Sequence, residues 1–419
     1  MEPSIEESKN RRLYFRRKKV LAVVLLILIF LYSGINLYVN RATFWQALKD
    51  EYEALVIGEA TPNEAIAELE TMMTDEAYER MDFVELFSLA NVLMDKREIN
   101  DFSYIKDETG SLHYASFYRE RDTEMFEYAM RVMRLKEYVS QYGTDVLFVI
   151  APSKYVKSES VLRTGMPIND PETKVDELLF YLNRLDVDTL DLNQYIPCDE
   201  VPYEEAFFKT DHHWTAKAAF YATQVLCNTL NDSYGYGLDI ENYLTEDVYS
   251  TVTYRQGMLG SMGRGTGVFF SGIDDFTAYY PDFEMNFYRN TLQENGEYSS
   301  LEGDIIGTLI LPDTLTSDSI YSDSQYSLYM NGLRQFEQIE NKDNPDGLSV
   351  FMIRDSYFSP VISFMAPLCG SIDAMWSMEE FDELDIERYV KENRFDCIII
   401  EYYPYNIEES AFEYFKETD

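Results

Sequence analysis

Hydrophobic positions fall into three patterns along this chain. Between Val20 and Val39 no residue is charged. As a helix that run covers about 30 Å, the thickness of a bilayer's hydrocarbon core. Lys9, Arg11, Arg12, Arg16, Arg17, Lys18 and Lys19 precede it, and such a cluster holds its side of a span in the cytosol. Tyr32 and Tyr38 stand near the other end. Asn40-Arg41-Ala42 follows, with no small-x-small cleavage site, so the pattern favours an uncleaved signal-anchor over a removed signal peptide.

From residue 41 to 115 apolar residues recur at helical spacing. Thr61 is placed to cap one helix and Pro62 to occupy its first position. This predicts a membrane-proximal helical segment, a stalk or cap with no chemistry of its own.

From about residue 120 the pattern alternates. DTEMFEYAMRVMRLKEYVSQYG is helical in period and stops at Gly143, whereas DVLFVIAP is a continuous apolar run. LSVFMIRD and FDCIIIEY repeat that run, and DTLDL is a shorter strand. Continuous apolar strands suit a parallel sheet buried on both faces, so 120–419 reads as a doubly wound α/β domain. Within it, 235–347 reads as loops or a small inserted β region.

Composition adds a location. The 419 residues carry 75 acids and 35 bases, a formal net charge of −40, with 15% aromatics. A disordered acidic chain would be poor in aromatics. Residues 1–40 hold seven of the bases and three of the acids, leaving 72 acids and 28 bases for the exported part. So acidic a surface repels phosphate backbones and argues against nucleic-acid partners. The four cysteines match no zinc or CxxC spacing. One Cys198–Cys227 bridge or four free thiols both fit.

Two of the three histidines are adjacent, in Lys209-Thr210-Asp211-His212-His213-Trp214-Thr215, just before a helix that Thr215 is placed to cap. Asp211 and His213 share one turn, where a carboxylate orients an imidazole. The alternative is an acidic loop whose histidines cap and pack. Asp-His-His is also a possible ligand set for a metal. Ile353-Arg354-Asp355-Ser356-Tyr357 ends a strand ahead of a helix, which exposes the Ser356 hydroxyl near backbone N–H groups. Together Asp211, His213 and Ser356 form a Ser-His-Asp set. Gly257-Met258-Leu259-Gly260-Ser261-Met262-Gly263-Arg264-Gly265-Thr266-Gly267 matches neither the P-loop nor the dinucleotide fingerprint. It reads as a tight turn or as a substrate contact through Arg264. Asn331-Gly332 and Lys154, at a strand end, are weaker signals.

FFKTDHHWTAKAAFYA closely resembles the DHHW family of bacterial exported proteins, related to the SGNH-like acetyltransferases of alginate O-acetylation. FVIAPSKYV, GMLGSMGRGTGVFFSGIDDF and IRDSYFSPVISFMAPL look like further family elements, so the likeness spans most of 120–405. It implies an SGNH-hydrolase-like, flavodoxin-like, mostly parallel sheet with helices on both faces. It also implies Ser356 as nucleophile, His213 as base and Asp211 as orienting carboxylate, with His212, Trp214, Asp355 and Arg264 as accessory residues. Arg354 stands where the usual GDS block has glycine. The chain order Asp, His, Ser is the permuted one of the alginate group.

The combined reading is a single-pass anchored acyltransferase or esterase acting outside the membrane on cell-surface polysaccharide. The acyl donor would come from a multi-pass membrane partner, with no cofactor or metal. The alternatives are a non-catalytic carbohydrate-binding or assembly protein and a metal-dependent hydrolase.

Overall fold

The computed structural model describes all residues except 1–4, 59, 118–123, 169, 294–295, 316–318, 322–324, 377–385 and 416–419. Two compact units divide at Phe87/Ser88. The first opens with α1 (Ile5–Val39), whose Arg16–Val39 part is 24 residues long and apolar enough to cross a membrane. Its side chains from Val20 to Leu31 are exposed, as a lipid-facing surface would be. Helices α2 (Arg41–Ile57) and α3 (Pro62–Asp75) follow. Thr61 caps α3 and pairs with Glu64 in a capping box, with Pro62 in the first turn. Near the end of α1, Asn36 is buried and satisfied, its Oδ1 accepting from Asn40 at 2.9 Å and from the Tyr78 N–H at 2.8 Å.

After α4 (Arg80–Leu93) the helical pattern stops, and 98–114 form a small antiparallel sheet, β1 (Glu98–Ile99), β2 (Tyr104–Lys106) and β3 (Leu112–Tyr114). The second unit continues with α5 (Met125–Ser140), β4 (Asp145–Ile150), α6 (Glu172–Arg184), β5 (Asp188–Asp191) and α7 (Ala216–Tyr234). Strands β6 (Tyr249–Met258) and β7 (Asp274–Pro281) form a hairpin-like pair around α8 (Ser261–Thr266). Next come β8 (Asn286–Leu292), β9 (Tyr298–Asp304), β10 (Phe336–Asn341), β11 (Leu348–Arg354), α9 (Phe358–Met365), β12 (Cys369–Trp376), α10 (Ile386–Asn393) and β13 (Cys397–Tyr402).

The main sheet has eight strands in the order β5-β4-β13-β11-β12-β10-β8-β9. The first five are parallel and the last three join antiparallel. The sheet is therefore mixed: residues in the 235–347 stretch supply β8, β9 and β10 and extend it. The continuous apolar runs have a structural cause. Leu147, Val149, Val350, Met352 and Ile399 pack on one side with Ala219 and Leu226 of α7 and Ile362 of α9. Phe148, Ile150, Phe351, Ile353 and Ile398 pack on the other with Val132 of α5 and Leu178 of α6. Side chains alternate across a strand, so covering both faces requires every position to be apolar. All four cysteines are free thiols.

Candidate active site

Parallel strands deliver their loops to one edge of the sheet, where open α/β folds place their ligands. Ser356 lies just beyond β11, two residues before α9 begins, partly exposed while its neighbours Asp355 and Tyr357 are buried. The start of α9 turns the positive end of its dipole towards that turn.

Asp211 and His213 come from the loop before α7, which Thr215 caps by accepting the Ala218 N–H at 3.3 Å. Asp211 is buried. Its Oδ1 accepts the His213 backbone N–H at 3.0 Å and lies 2.6 Å from His213 Nδ1, and its Oδ2 accepts the Ser261 N–H at 2.6 Å. Burial opposes ionisation of this carboxyl, but the His213 and His212 rings and the hydrogen bonds from His213 outweigh it and hold the group well below the usual range. An ionised carboxylate only accepts, so Nδ1 of His213 carries the proton and Nε2 is left to face Ser356 Oγ, 2.7 Å away. The three residues thus converge in one hydrogen-bonded line, with Ser356 arriving from 143 positions beyond His213.

His212 lies alongside. Its Nδ1 is 3.3 Å from Asp211 Oδ1 and 3.3 Å from Ser261 Oγ. Burial, and then the neighbouring His213, push its pKa down to about 3, so the ring is neutral. Asp211, His212 and His213 each offer an atom within 4.8 Å of the others, a donor set a metal could use. However, both ring nitrogens of His213 already face Asp211 and Ser356.

Trp214 points into the core. Its Nε1 donates to the Tyr326 hydroxyl at 3.0 Å and to the Tyr357 carbonyl at 3.1 Å, tying the histidine loop to the serine turn. Tyr326 stacks on the His213 ring, with centroids 4.2 Å apart. The Tyr357 hydroxyl donates to the His212 carbonyl. Asp355 makes no hydrogen bond to His213 in this arrangement; its carboxylate accepts the Tyr357 N–H at 2.9 Å, the Tyr403 N–H at 2.7 Å and the Asn406 amide at 2.8 Å. It sets the turn's shape. Arg354 is fully buried and its Nη2 donates to Glu337 Oε1 at 2.6 Å, while Glu337 Oε2 receives Arg289 Nε at 2.8 Å.

The glycine-dense loop supports Asp211 from below. A Cβ on Gly260 would lie 2.3 Å from Asp211 Cβ, and the Gly260 N–H donates to Thr210 Oγ1 at 2.9 Å. Glycine is needed there because backbone and carboxylate approach so closely. Arg264 donates to the Leu259 carbonyl at 3.1 Å within the same loop. Lys154, four residues beyond β4, is buried, and its ammonium donates to the Asp211 carbonyl at 2.7 Å and the Lys209 carbonyl at 3.1 Å. Burial lowers its pKa to about 8. Asn331 and Gly332 take left-handed φ values of +53° and +79°, a tight turn. Residues that sequence reasoning missed are Tyr326, Tyr357, Glu337 and Tyr114, whose hydroxyl is 3.5 Å from His212 Nδ1. Tyr357 adjoins Ser356 in the chain, but its contact with the His212 carbonyl, like the placement of Tyr326, Glu337 and Tyr114, comes only from tertiary packing.

Comparison with known proteins agrees with this fold. The family model described as "SGNH hydrolase-like domain, acetyltransferase AlgX" matches residues 112–264, and the DHHW protein family model matches residues 199–371. No curated protein matches the sequence. Among solved structures, Bacillus cereus PatB1 is 16% identical and superposes with a TM-score of 0.60 over 74% of this chain and 99% of its own. PatB1 with a sulfonyl adduct gives 15%, 0.56, 75% and 97%. A DHHW family protein from Eubacterium siraeum gives 17%, 0.51, 74% and 92%. Fold and matches together define an SGNH-hydrolase-like domain. Within that class, residues 199–371 are similar to the DHHW protein family and residues 112–264 to the AlgX acetyltransferase domain, and the two matches overlap at 199–264.

Proposed function

We propose that the protein is a membrane-anchored acyltransferase or esterase, acting outside the cell membrane on acyl esters, acetyl above all, of cell-surface polysaccharide. The observation that supports this best is the pair of contacts made by His213, 2.6 Å to Asp211 and 2.7 Å to Ser356. In the first half-reaction Ser356 Oγ attacks the acyl carbonyl and His213 Nε2 takes its proton. The bond to the donor's oxygen breaks, and that oxygen leaves with the proton from His213. In the second, a sugar hydroxyl gives its proton to His213 and attacks the acyl-serine. The carbonyl bond to Oγ then breaks and Oγ regains a proton; with water as acceptor the result is hydrolysis. The start of α9 favours the negative charge that develops on the carbonyl oxygen.

The basic residues before Val20 support a cytosolic N-terminus with the rest of the chain on the other side. No acyl-coenzyme pool exists there, so a multi-pass membrane partner would deliver the acyl group to a domain held nearby by α1. The acidic surface favours neutral or zwitterionic glycans over polyanions.

PatB1 has been solved with a sulfonyl adduct, and a sulfonyl or phosphonyl fluoride is a direct probe of Ser356. Incubation of the full-length chain with a fluorophosphonate is expected to label Ser356 alone, and peptide mass spectrometry reads the site. Unlabelled Ser356 on folded protein favours the non-catalytic binder. Labelling that requires added zinc favours the metal hydrolase.

Lys154 serves here as a positioning residue. Lys154→Met removes a charge-assisted hydrogen bond to the Asp211 carbonyl, which is expected to lower kcat about tenfold with KM nearly unchanged. Lys154→Arg should recover part of that loss. A rise in KM at constant kcat, measured on a chromogenic acetyl ester, contradicts the assignment.

A further inference from the structure

Beyond the reacting residues, the same edge of the sheet holds a cavity of about 380 Å³. It is lined by segments that follow β4, β5 and β13, together with the first turns of α6, so it spans the one to three strands next to β11, which carries the Ser356 turn. Four carboxylates, Asp170, Glu172, Asp176 and Asp191, stand around it with one cation, Lys157. Lys157 is already engaged, 3.4 Å from Asp170 Oδ2 and in contact with Glu172. Asp191 is taken up by the Asn193 N–H at 3.0 Å and the Asn193 amide at 2.8 Å. Asp176 stays exposed on the rim, and burial and the neighbouring Glu172 and Asp191 raise its pKa.

The rest of the lining has the mixed character of a sugar site. Tyr155, Val156, Val175 and Pro404 offer apolar faces. The Ser153 hydroxyl is buried on the wall beside the Tyr405 phenol with no hydrogen bond of normal geometry. A line of half-buried rings links cavity and reacting serine. Tyr405 follows Pro404 and lies 5.7 Å from Tyr114, ring to ring. Tyr114 in turn reaches His212, whose ring centroid lies 3.9 Å from that of His213 with the planes tilted by 36°.

We propose that this cavity seats a sugar bearing a free ammonium group, part of a glycan that crosses Tyr405 and Tyr114 to present a hydroxyl or its ester at Ser356. The proposal rests on the acyl-transfer reading and narrows its substrate to glycans with unacetylated amino sugars. Carboxylates accept the ammonium hydrogens, and tyrosine faces pack against the pyranose rings between. The acidic lining rejects a sugar carrying phosphate or carboxylate at that position.

The test uses the full-length chain in detergent and two oligosaccharides of equal length, a glucosamine hexamer and an N-acetylglucosamine hexamer. Calorimetric titration is run at about pH 6, below the range where such amines lose their proton. The glucosamine hexamer is expected to bind at least tenfold more tightly. Asp176→Lys should remove that preference and Asp176→Asn reduce it severalfold, while Ser356→Ala leaves it intact. Asp176→Asn alters one charge of a net −40, so attraction by the surface as a whole would scarcely change. Equal affinity for the two hexamers, or a preference that survives Asp176→Lys, overturns the proposal. Fluorophosphonate labelling of Ser356 without hexamer binding overturns the cavity assignment alone; binding without labelling leaves the cavity and removes the acyl-transfer reading.

Discussion

Ser356→Ala and His213→Ala are each expected to lower acyl-ester turnover on the order of 10⁴-fold or more, and the double variant to lower it no further. The reason is the single hydrogen-bonded line they form. His213 Nε2, 2.7 Å from Ser356 Oγ, can take that proton only while Nδ1 is held by Asp211 at 2.6 Å, so losing either member removes one shared step. Asp211→Asn should cost about 10⁴-fold through the imidazole tautomer, because an amide at that position no longer obliges Nδ1 to carry the proton. In cells, each variant should leave the protein abundant and the acetyl content of surface polysaccharide reduced to the level of a deletion strain. Unchanged acetyl content in both single variants would sink the assignment. Additive losses in the double variant would mean that serine and histidine act separately.

Glu337→Ala is expected to destabilise the second unit by about 3–5 kcal/mol, read from the midpoint of denaturant unfolding. Glu337 is fully buried between two guanidiniums, Arg354 at 2.6 Å and Arg289 at 2.8 Å. Its loss leaves two positive charges in the core with one counter-ion gone, and burial already disfavours the charged form of Arg354. Arg354 adjoins the Asp355-Ser356 turn, so the molecules that remain folded should also label more slowly with the fluorophosphonate. An unfolding midpoint unmoved by Glu337→Ala would mean that water reaches these guanidiniums. This ion pair also shows how a buried arginine is accommodated next to the serine turn: its side chain reaches Glu337 on β10.

The sequence reading succeeded where the physics is local. Twenty uncharged residues after a basic cluster are enough to specify a helix of membrane length, whatever follows them. The Thr61 and Thr215 caps need only the next turn of chain. The buried strands were legible because both of their faces are covered, which forces continuous apolar runs on β4, β11 and β13. Strands β8 to β10 were less legible because they mix Tyr, Asn, Arg and Glu, and their pairing partners lie far away in sequence. The glycine loop shows the same limit. Its composition pointed to a turn or a ligand contact, and only packing revealed Gly260 pressed against Asp211.

Within the site itself the division is sharp. Asp211 and His213, two residues apart, share one turn of backbone, so the sequence alone brought this carboxylate within reach of this imidazole. The apolar runs likewise determined a sheet with helices on both faces. The tertiary structure decided what stands opposite His213 Nε2, since no local constraint carries over 143 residues. It also decided that β3, from the segment read as helical, brings Tyr114 to the rim, and that the loops after β4, β5 and β13 enclose a cavity beside it. Those outcomes depend on which strands become neighbours. Strand order is set by the burial of the whole core, a sum over contacts that no short stretch of sequence contains.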